Sequence, residues 1–183
     1  MYILKSTAFL SALALVAPTL SRADVADSAA NGFTVKLAVT IRASPQDVYS
    51  RLVHHIGDWW DPAHTFSGDA HNLSIDDKPM GCFCEKLADG GGVRHMEVVN
   101  ADPEKVLVLV GGLGPLQAMA VTGSLTIQLA PVRDDGTRVA VVYAVTGYSP
   151  AGMNALAEPV NTVLTQQFVR LKSFVESGKA APK

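Results

Sequence analysis

Gly81-Cys82-Phe83-Cys84-Glu85 holds the only two cysteines of the chain, one residue apart, and His95 follows a short turn later. These residue types suit four kinds of chemistry. Two thiols can form a disulfide, supply half of a metal site or act as a redox pair. A carboxylate beside an imidazole holds one ring tautomer. Such a pair serves general acid and base catalysis, taking a proton next to a carbonyl or activating a water. Which of these applies depends on the backbone that carries the side chains.

That backbone reads as a hairpin. Cys82 to Leu87 and Val93 to Val99 are strand-like and flank Asp89-Gly90-Gly91, a turn signal. Cys82 and Cys84 then point to one face. In a flat strand their Cβ atoms stand about 6–7 Å apart, whereas a disulfide needs roughly 4 Å. Two reduced, buried thiols are therefore expected rather than a buckled, disulfide-bonded strand, although an oxidising compartment favours disulfides. A metal would need two more ligands. His64 and His71 are possible donors, but their spacing does not demand it, and neither metal nor cofactor is expected.

A three-residue turn pairs Ala88 with Gly92, which sets Glu85 opposite His95 and Phe83 opposite Glu97. One face then carries Phe83, Glu85, Leu87, Val93, His95, Glu97 and Val99. The other carries Cys82, Cys84, Lys86, Arg94, Met96 and Val98. A two-residue turn slips the register and sets Cys84 opposite His95. Glu85 and His95 are the candidate catalytic pair. The plainer reading of them is a cross-strand charge pair on a wetted face.

Further candidates suit binding. Trp59 and Trp60 follow a short helix, one expected in the core and the other at a rim. His64 to Asn72 is rich in hydrogen-bonding groups, and its Thr65, Asp69 and Asn72 suit the lip of a site. His54 and His55 are adjacent, point apart on a helix and read as surface or packing residues. Leu113, Leu116 and Gln117 lie in a glycine-rich bend that is either a lid or a wide turn between strands. The bend has no lysine or hydroxyl residue at phosphate-loop spacing. Tyr143 and Tyr148 fall on opposite faces of one strand, so at most one points inward. Met119, Met153, Leu156 and Val160 offer a soft apolar lining, or simply core.

The elements that must position these residues are legible in outline. Phe33, Val35, Leu37, Val39 and Ile41 alternate as in a half-buried strand. Ser44-Pro45-Gln46-Asp47 opens a helix, with Ser44 as N-cap, Pro45 at N1 and Asp47 three residues after the cap. That helix should run to about Ile56 and break at Asp58-Trp59-Trp60-Asp61-Pro62. Hairpins follow, including Val121 to Leu129 with Arg138 to Tyr148 around Asp134-Asp135-Gly136. The chain closes on a long helix. Met153, Leu156, Val160, Val163, Leu164, Phe168, Leu171 and Phe174 recur at three- and four-residue spacing along it, and Pro159 is expected to kink or restart it after one turn.

The amino terminus suggests export. Lys5, the apolar run Ala8 to Ala17 and the small residues at Ser21 and Ala23 form a secretory signal pattern with a cut after Ala23, and the run is too short to span a bilayer. Residues 1–23 are thus expected to be a signal peptide, 24–32 a flexible leader and 33–178 one domain, periplasmic or secreted. Removal of the signal takes Lys5 and Arg22 and no acid, leaving a chain two units more negative than the full chain's −2. That acidity, with no basic stripe, argues against a nucleic-acid partner. No later segment has the length and apolarity of a membrane span.

The order of strand, short helices, hairpin-linked strands and long amphipathic helix resembles the START-like superfamily, also labelled SRPBCC or polyketide cyclase/dehydrase-like, which includes the Bet v 1-type proteins. The resemblance rests on SPQDVYSRL, DWW, GCFCEKLADGGGVRHMEVV, DPEKVLVLVGGLGPLQ and LTQQFVRLKSF. It implies an α+β helix-grip fold: a curved antiparallel sheet wrapped around a long C-terminal helix, with two short helices after the first strand. It also implies a cavity between them that often holds an apolar ligand. A small hydrophobic molecule is then the expected partner, held by residues among Trp59, Trp60, His64, Asn72, Phe83, Glu97, Leu113, Leu116, Gln117, Tyr143, Met153, Leu156 and Val160. The alternative is a cavity enzyme of cyclase or hydrolase type, in which Glu85 and His95 transfer protons. No G-x-S-x-G is present, which argues against an α/β-hydrolase.

Overall fold

The computed structural model describes residues 24–182; the expected signal peptide, residues 1–23, lies outside them. Eight strands form one antiparallel sheet: β1 (Asp24–Ala29), β2 (Gly32–Ile41), β3 (Leu73–Ile75), β4 (Cys82–Lys86), β5 (Gly92–Asp102), β6 (Val106–Val110), β7 (Ala120–Val132) and β8 (Gly136–Tyr148). Their spatial order is β1-β2-β8-β7-β6-β5-β4-β3. From β3 to β8 each strand pairs with the next in sequence, and β8 then returns to β2. The sheet curves around the last helix, α3 (Asn154–Ser177), while α1 (Pro45–His54) and α2 (Ile56–Trp59) follow β2. This is the expected helix-grip arrangement.

Local sequence explains most of these elements. In β2 the alternating residues Phe33, Val35, Leu37, Val39 and Ile41 are all buried. Ser44 caps α1 by accepting the Asp47 N–H at 3.1 Å, with Pro45 in the first turn. The apolar stripe of α3 puts Leu164, Phe168, Leu171 and Phe174 against the sheet and α2. Gly178, in the left-handed conformation at φ 74°, ends that helix by donating to the Phe174 carbonyl.

Two expectations are corrected. Pro159 does not restart α3, which runs unbroken through it. The ring sits in the second turn, where the Ala155 carbonyl is the only helical acceptor its missing N–H leaves unused. The segment expected to be a flexible leader is strand β1, paired with β2 from Asp24↔Lys36 to Ala29↔Gly32. Its alanines and aspartates are poor strand formers. The local signal for it is Asn31, a turn residue that with Ala30 joins the paired ends Ala29 and Gly32.

Candidate functional site

The site begins with an irregularity in the β4–β5 ladder. Glu85 faces Val93 and Cys84 faces Arg94, but the next pair is Phe83 with Met96. His95 is the extra residue, a β-bulge. Consecutive side chains in a regular strand point to opposite faces, yet His95 and Met96 are both buried. The expected register of Glu85 opposite His95 is therefore corrected. The turn is longer than the three residues assumed: the Leu87 N–H bonds the Gly91 carbonyl, and Asp89 and Gly90 take positive φ inside it. The bulge brings Glu85 and His95 together from a different register. His95 Nε2 lies 3.0 Å from Glu85 Oε2, with both residues almost wholly buried, at 3% and 1% exposure.

Beyond the bulge the faces exchange. Met96 and Val98, expected outside, enter the core. Glu97, expected on the ligand side, instead turns outward and pairs with Arg94 at 2.8 Å.

The bulge also bears on the cysteines. Cys82 and Cys84 form a disulfide, which overturns the expectation of free thiols. Their Cα atoms are 5.4 Å apart, within the range a disulfide spans and shorter than two steps of a flat strand. That expectation assumed a flat strand. Next to the bulge β4 is contracted, and both cysteines lie on its half-exposed outer face, away from Phe83 and Glu85.

Glu85 is held by more than the histidine. Its carboxylate accepts the backbone N–H groups of Phe66, at 3.1 Å, and Ser67. Burial pushes the carboxyl up, but the donors of Ser67, Phe66 and His95 outweigh it and hold it below the ordinary glutamate range. An ionised Glu85 only accepts hydrogen bonds, so the facing Nε2 carries the ring proton. In the neutral ring Nδ1 is then the acceptor, and it is buried with no hydrogen-bond partner among the described residues. The ring itself is clamped, stacked on Phe66 at 5.8 Å between centroids and tilted against Phe83 at 5.0 Å.

His95 forms part of the wall of a cavity of about 300 Å³ between the sheet and α3. Trp60, Ala63, His64, Thr65 and Phe66 supply one side, Leu73, Phe83 and Tyr143 the sheet, and Leu156, Pro159, Val160, Val163 and Leu164 the helix. Leu113 to Leu116 close it as a lid. The Trp60 side is pinned to α3, because Asp61 N–H donates to Gln167 Oε1 at 2.9 Å and Arg170 Nε to the Trp59 carbonyl at 2.9 Å. The lid is pinned to the sheet. The Tyr143 hydroxyl accepts the Leu113 N–H at 3.1 Å and donates to the Gly111 carbonyl at 3.2 Å, and Gln117 Nε2 donates to the Arg94 carbonyl. Burial, only partly opposed by the Leu113 N–H, pushes the Tyr143 phenol up to about 12. Gly111, at φ 149°, lets the lid begin against the bulge, since a Cβ there would stand 2.8 Å from the His95 carbonyl.

Of the residues expected to bind ligand, Trp60, His64, Phe83, Leu113, Leu116, Tyr143, Leu156 and Val160 line this cavity. Trp59, Asn72, Glu97, Gln117 and Met153 are not in its lining. Both tryptophans are buried, so neither stands at an exposed rim; Trp59 packs against Phe168 of α3. Sequence reasoning missed Phe66, Leu73, Val163 and Leu164 as lining residues. The three-residue spacing of Val160 and Val163 was the available signal for one of them. His64 is on the wall, whereas His71 lies near Asp58, at 4.0 Å.

No family model and no curated protein matches this chain. Solved structures do. EF2215, a conserved protein of unknown function from Enterococcus faecalis, is 17% identical over 88% of this chain and 80% of its own, with a TM-score of 0.60. CalU16 from Micromonospora echinospora is 13% identical, with 87% of each chain covered and a TM-score of 0.55. DynU16, a protein in the dynemicin biosynthetic locus, is 16% identical over 80% of this chain and 48% of its own, with a TM-score of 0.55. At these identities the likeness is one of fold.

Proposed function

We propose that this chain binds a small hydrophobic molecule in the cavity between its sheet and α3, as a START-like domain of the helix-grip type. The observation that carries the reading is the cavity itself. About 300 Å³ is walled by aromatic and aliphatic side chains, and its few polar groups include one buried histidine, one ring nitrogen of which has no hydrogen-bond partner among the described residues. Apolar walls with few polar anchors characterise small-molecule sites. A core that only filled itself would leave no such space at native packing density. The likeness to DynU16, from a biosynthetic locus, gives the same reading support at the level of fold. Lipids and aromatic metabolites both fit the description.

The signal-like amino terminus supports action outside the cytoplasm, as a periplasmic or secreted binder. No helix among the described residues is long and apolar enough to cross a membrane.

The test is native mass spectrometry of the protein purified from its own cells, together with displacement of an apolar fluorophore. A co-purifying small molecule, or saturable fluorophore binding lost in Val160→Trp, is expected. A protein that carries nothing and binds no apolar probe would refute the proposal.

A further inference from the structure

The geometry points to a ligand that bears a neutral hydroxyl, donated to His95 Nδ1, rather than an acid. This inference rests on the binding reading above and names the chemistry of the molecule bound.

Three observations lead to it. First, the ring orientation is fixed. Nε2 is committed to Glu85, and the ring is held between Phe66 and Phe83. The ring cannot rotate to satisfy Nδ1 elsewhere without giving up the Glu85 bond. Second, Nδ1 has no partner among the described residues, and a buried polar atom left unpaired is costly. In the neutral ring it is an acceptor, completed by a donor; His95 is part of the cavity wall, so a donor bound there needs only a small shift of the packing that covers this buried atom. Third, the cavity has no lysine or arginine in its lining. A carboxylate or phosphate there would lose its hydration with no permanent cation to replace it, the one other basic side chain on the wall being the imidazole of His64. It would also sit near the ionised Glu85, whose like charge repels it. A hydroxyl meets neither obstacle. It brings a proton to an acceptor, and the rest of the molecule meets apolar wall.

Glu85 acts here through His95. It is a positioning residue that fixes the tautomer, and so the sign of what the site recognises.

Three naphthalenes of nearly equal size separate the possibilities by isothermal titration with the purified chain: 2-naphthol, 2-methoxynaphthalene and 2-naphthoate. Hydrophobicity alone favours the ether, by the burial of its extra methyl. One satisfied hydrogen bond reverses that order. Naphthol is expected to bind about fivefold tighter than the ether, and naphthoate weakest. In His95→Phe, which keeps a ring between Phe66 and Phe83, the preference for naphthol should vanish while the ether still binds. Equal affinities for naphthol and ether in the wild-type chain would overturn the inference without touching the binding reading, as would tightest binding of naphthoate. If none of the three binds, the inference falls, while the binding reading still stands or falls on co-purification and the apolar fluorophore. The wild-type comparison needs no variant to fold.

Discussion

Replacing Glu85 tests whether a buried carboxylate organises the site. It accepts the N–H groups of Phe66 and Ser67 and the Nε2–H of His95, at 1% exposure. Glu85→Ala strips the acceptor from one buried donor, on His95, and two part-buried ones, on Phe66 and Ser67. At roughly 1–3 kcal/mol for each group left unpaired, the range is about 3–9 kcal/mol, with the two part-buried amides drawing it toward the low end. That is a large share of the roughly 5–15 kcal/mol that holds a domain folded. Glu85→Gln keeps one acceptor oxygen but turns an amide donor toward other donors, so about 2–3 kcal/mol is expected. Urea unfolding followed by circular dichroism measures both. The pH dependence makes the test sharper. The folded carboxyl titrates below the ordinary value of 4.5, so its charged form stabilises the fold above that value. The contribution is lost as pH falls through the lowered folded value. The stability gap between wild type and Glu85→Gln should therefore be full at neutral pH and shrink in acid below 4.5. A gap that stays constant into acid, or a Gln variant as stable as wild type at neutral pH, would refute the reasoning.

Other outcomes are expected elsewhere in the molecule. Tyr143→Phe removes the hydroxyl that joins Leu113 to Gly111, so hydrogen exchange at the Leu113 amide should quicken, with a stability loss of about 1 kcal/mol. Val160→Trp, which fills the cavity from α3, should abolish apolar probe binding while the far-ultraviolet circular dichroism spectrum is kept. Cys82→Ala with Cys84→Ala opens a ring that closes over one residue, so chain-entropy reasoning gives a loss of only about 1.5–2 kcal/mol. Thermal unfolding should register it as a drop of a few degrees, about 2–4 °C per kcal/mol. A far larger drop would mean that the disulfide holds the neighbouring bulge.

What the sequence disclosed followed the range of each interaction. The α1 cap, the alternation of β2 and the stripe of α3 are local patterns, and each lies where it was expected. The pairing of Glu85 with His95 was suggested for a different reason from the one that produces it. Proximity of the two was anticipated from a three-residue turn, but the longer turn shifts the pairing and the bulge at His95 compensates. A bulge has no compositional mark of its own. Only the burial of two consecutive residues, His95 and Met96, exposes it, and burial is a tertiary property. The placement of Glu97 and the bonding of Cys82 to Cys84 were misread because both depended on a regular strand there. The Phe66 and Ser67 donors to Glu85 could not be found at all, since they belong to an irregular loop far from β4 in sequence.

The bulge also makes the site separable from the fold by a single codon. Removing His95 would leave Arg94 facing Cys84 and Met96 facing Phe83 as adjacent rungs of an uninterrupted ladder. Val93, Met96 and Val98 would then keep their inward parity, and Arg94 and Glu97 their outward one. The architecture loses nothing in phase by the deletion, and the recognition element disappears entirely. Run in reverse, the same step is an insertion that gives an inert helix-gripping sheet a polar reading head without re-registering its core. A lineage can therefore gain or shed this chemistry in one event. A chain of the same fold with one residue fewer at this point should be looked on as a scaffold from which the site has been edited out.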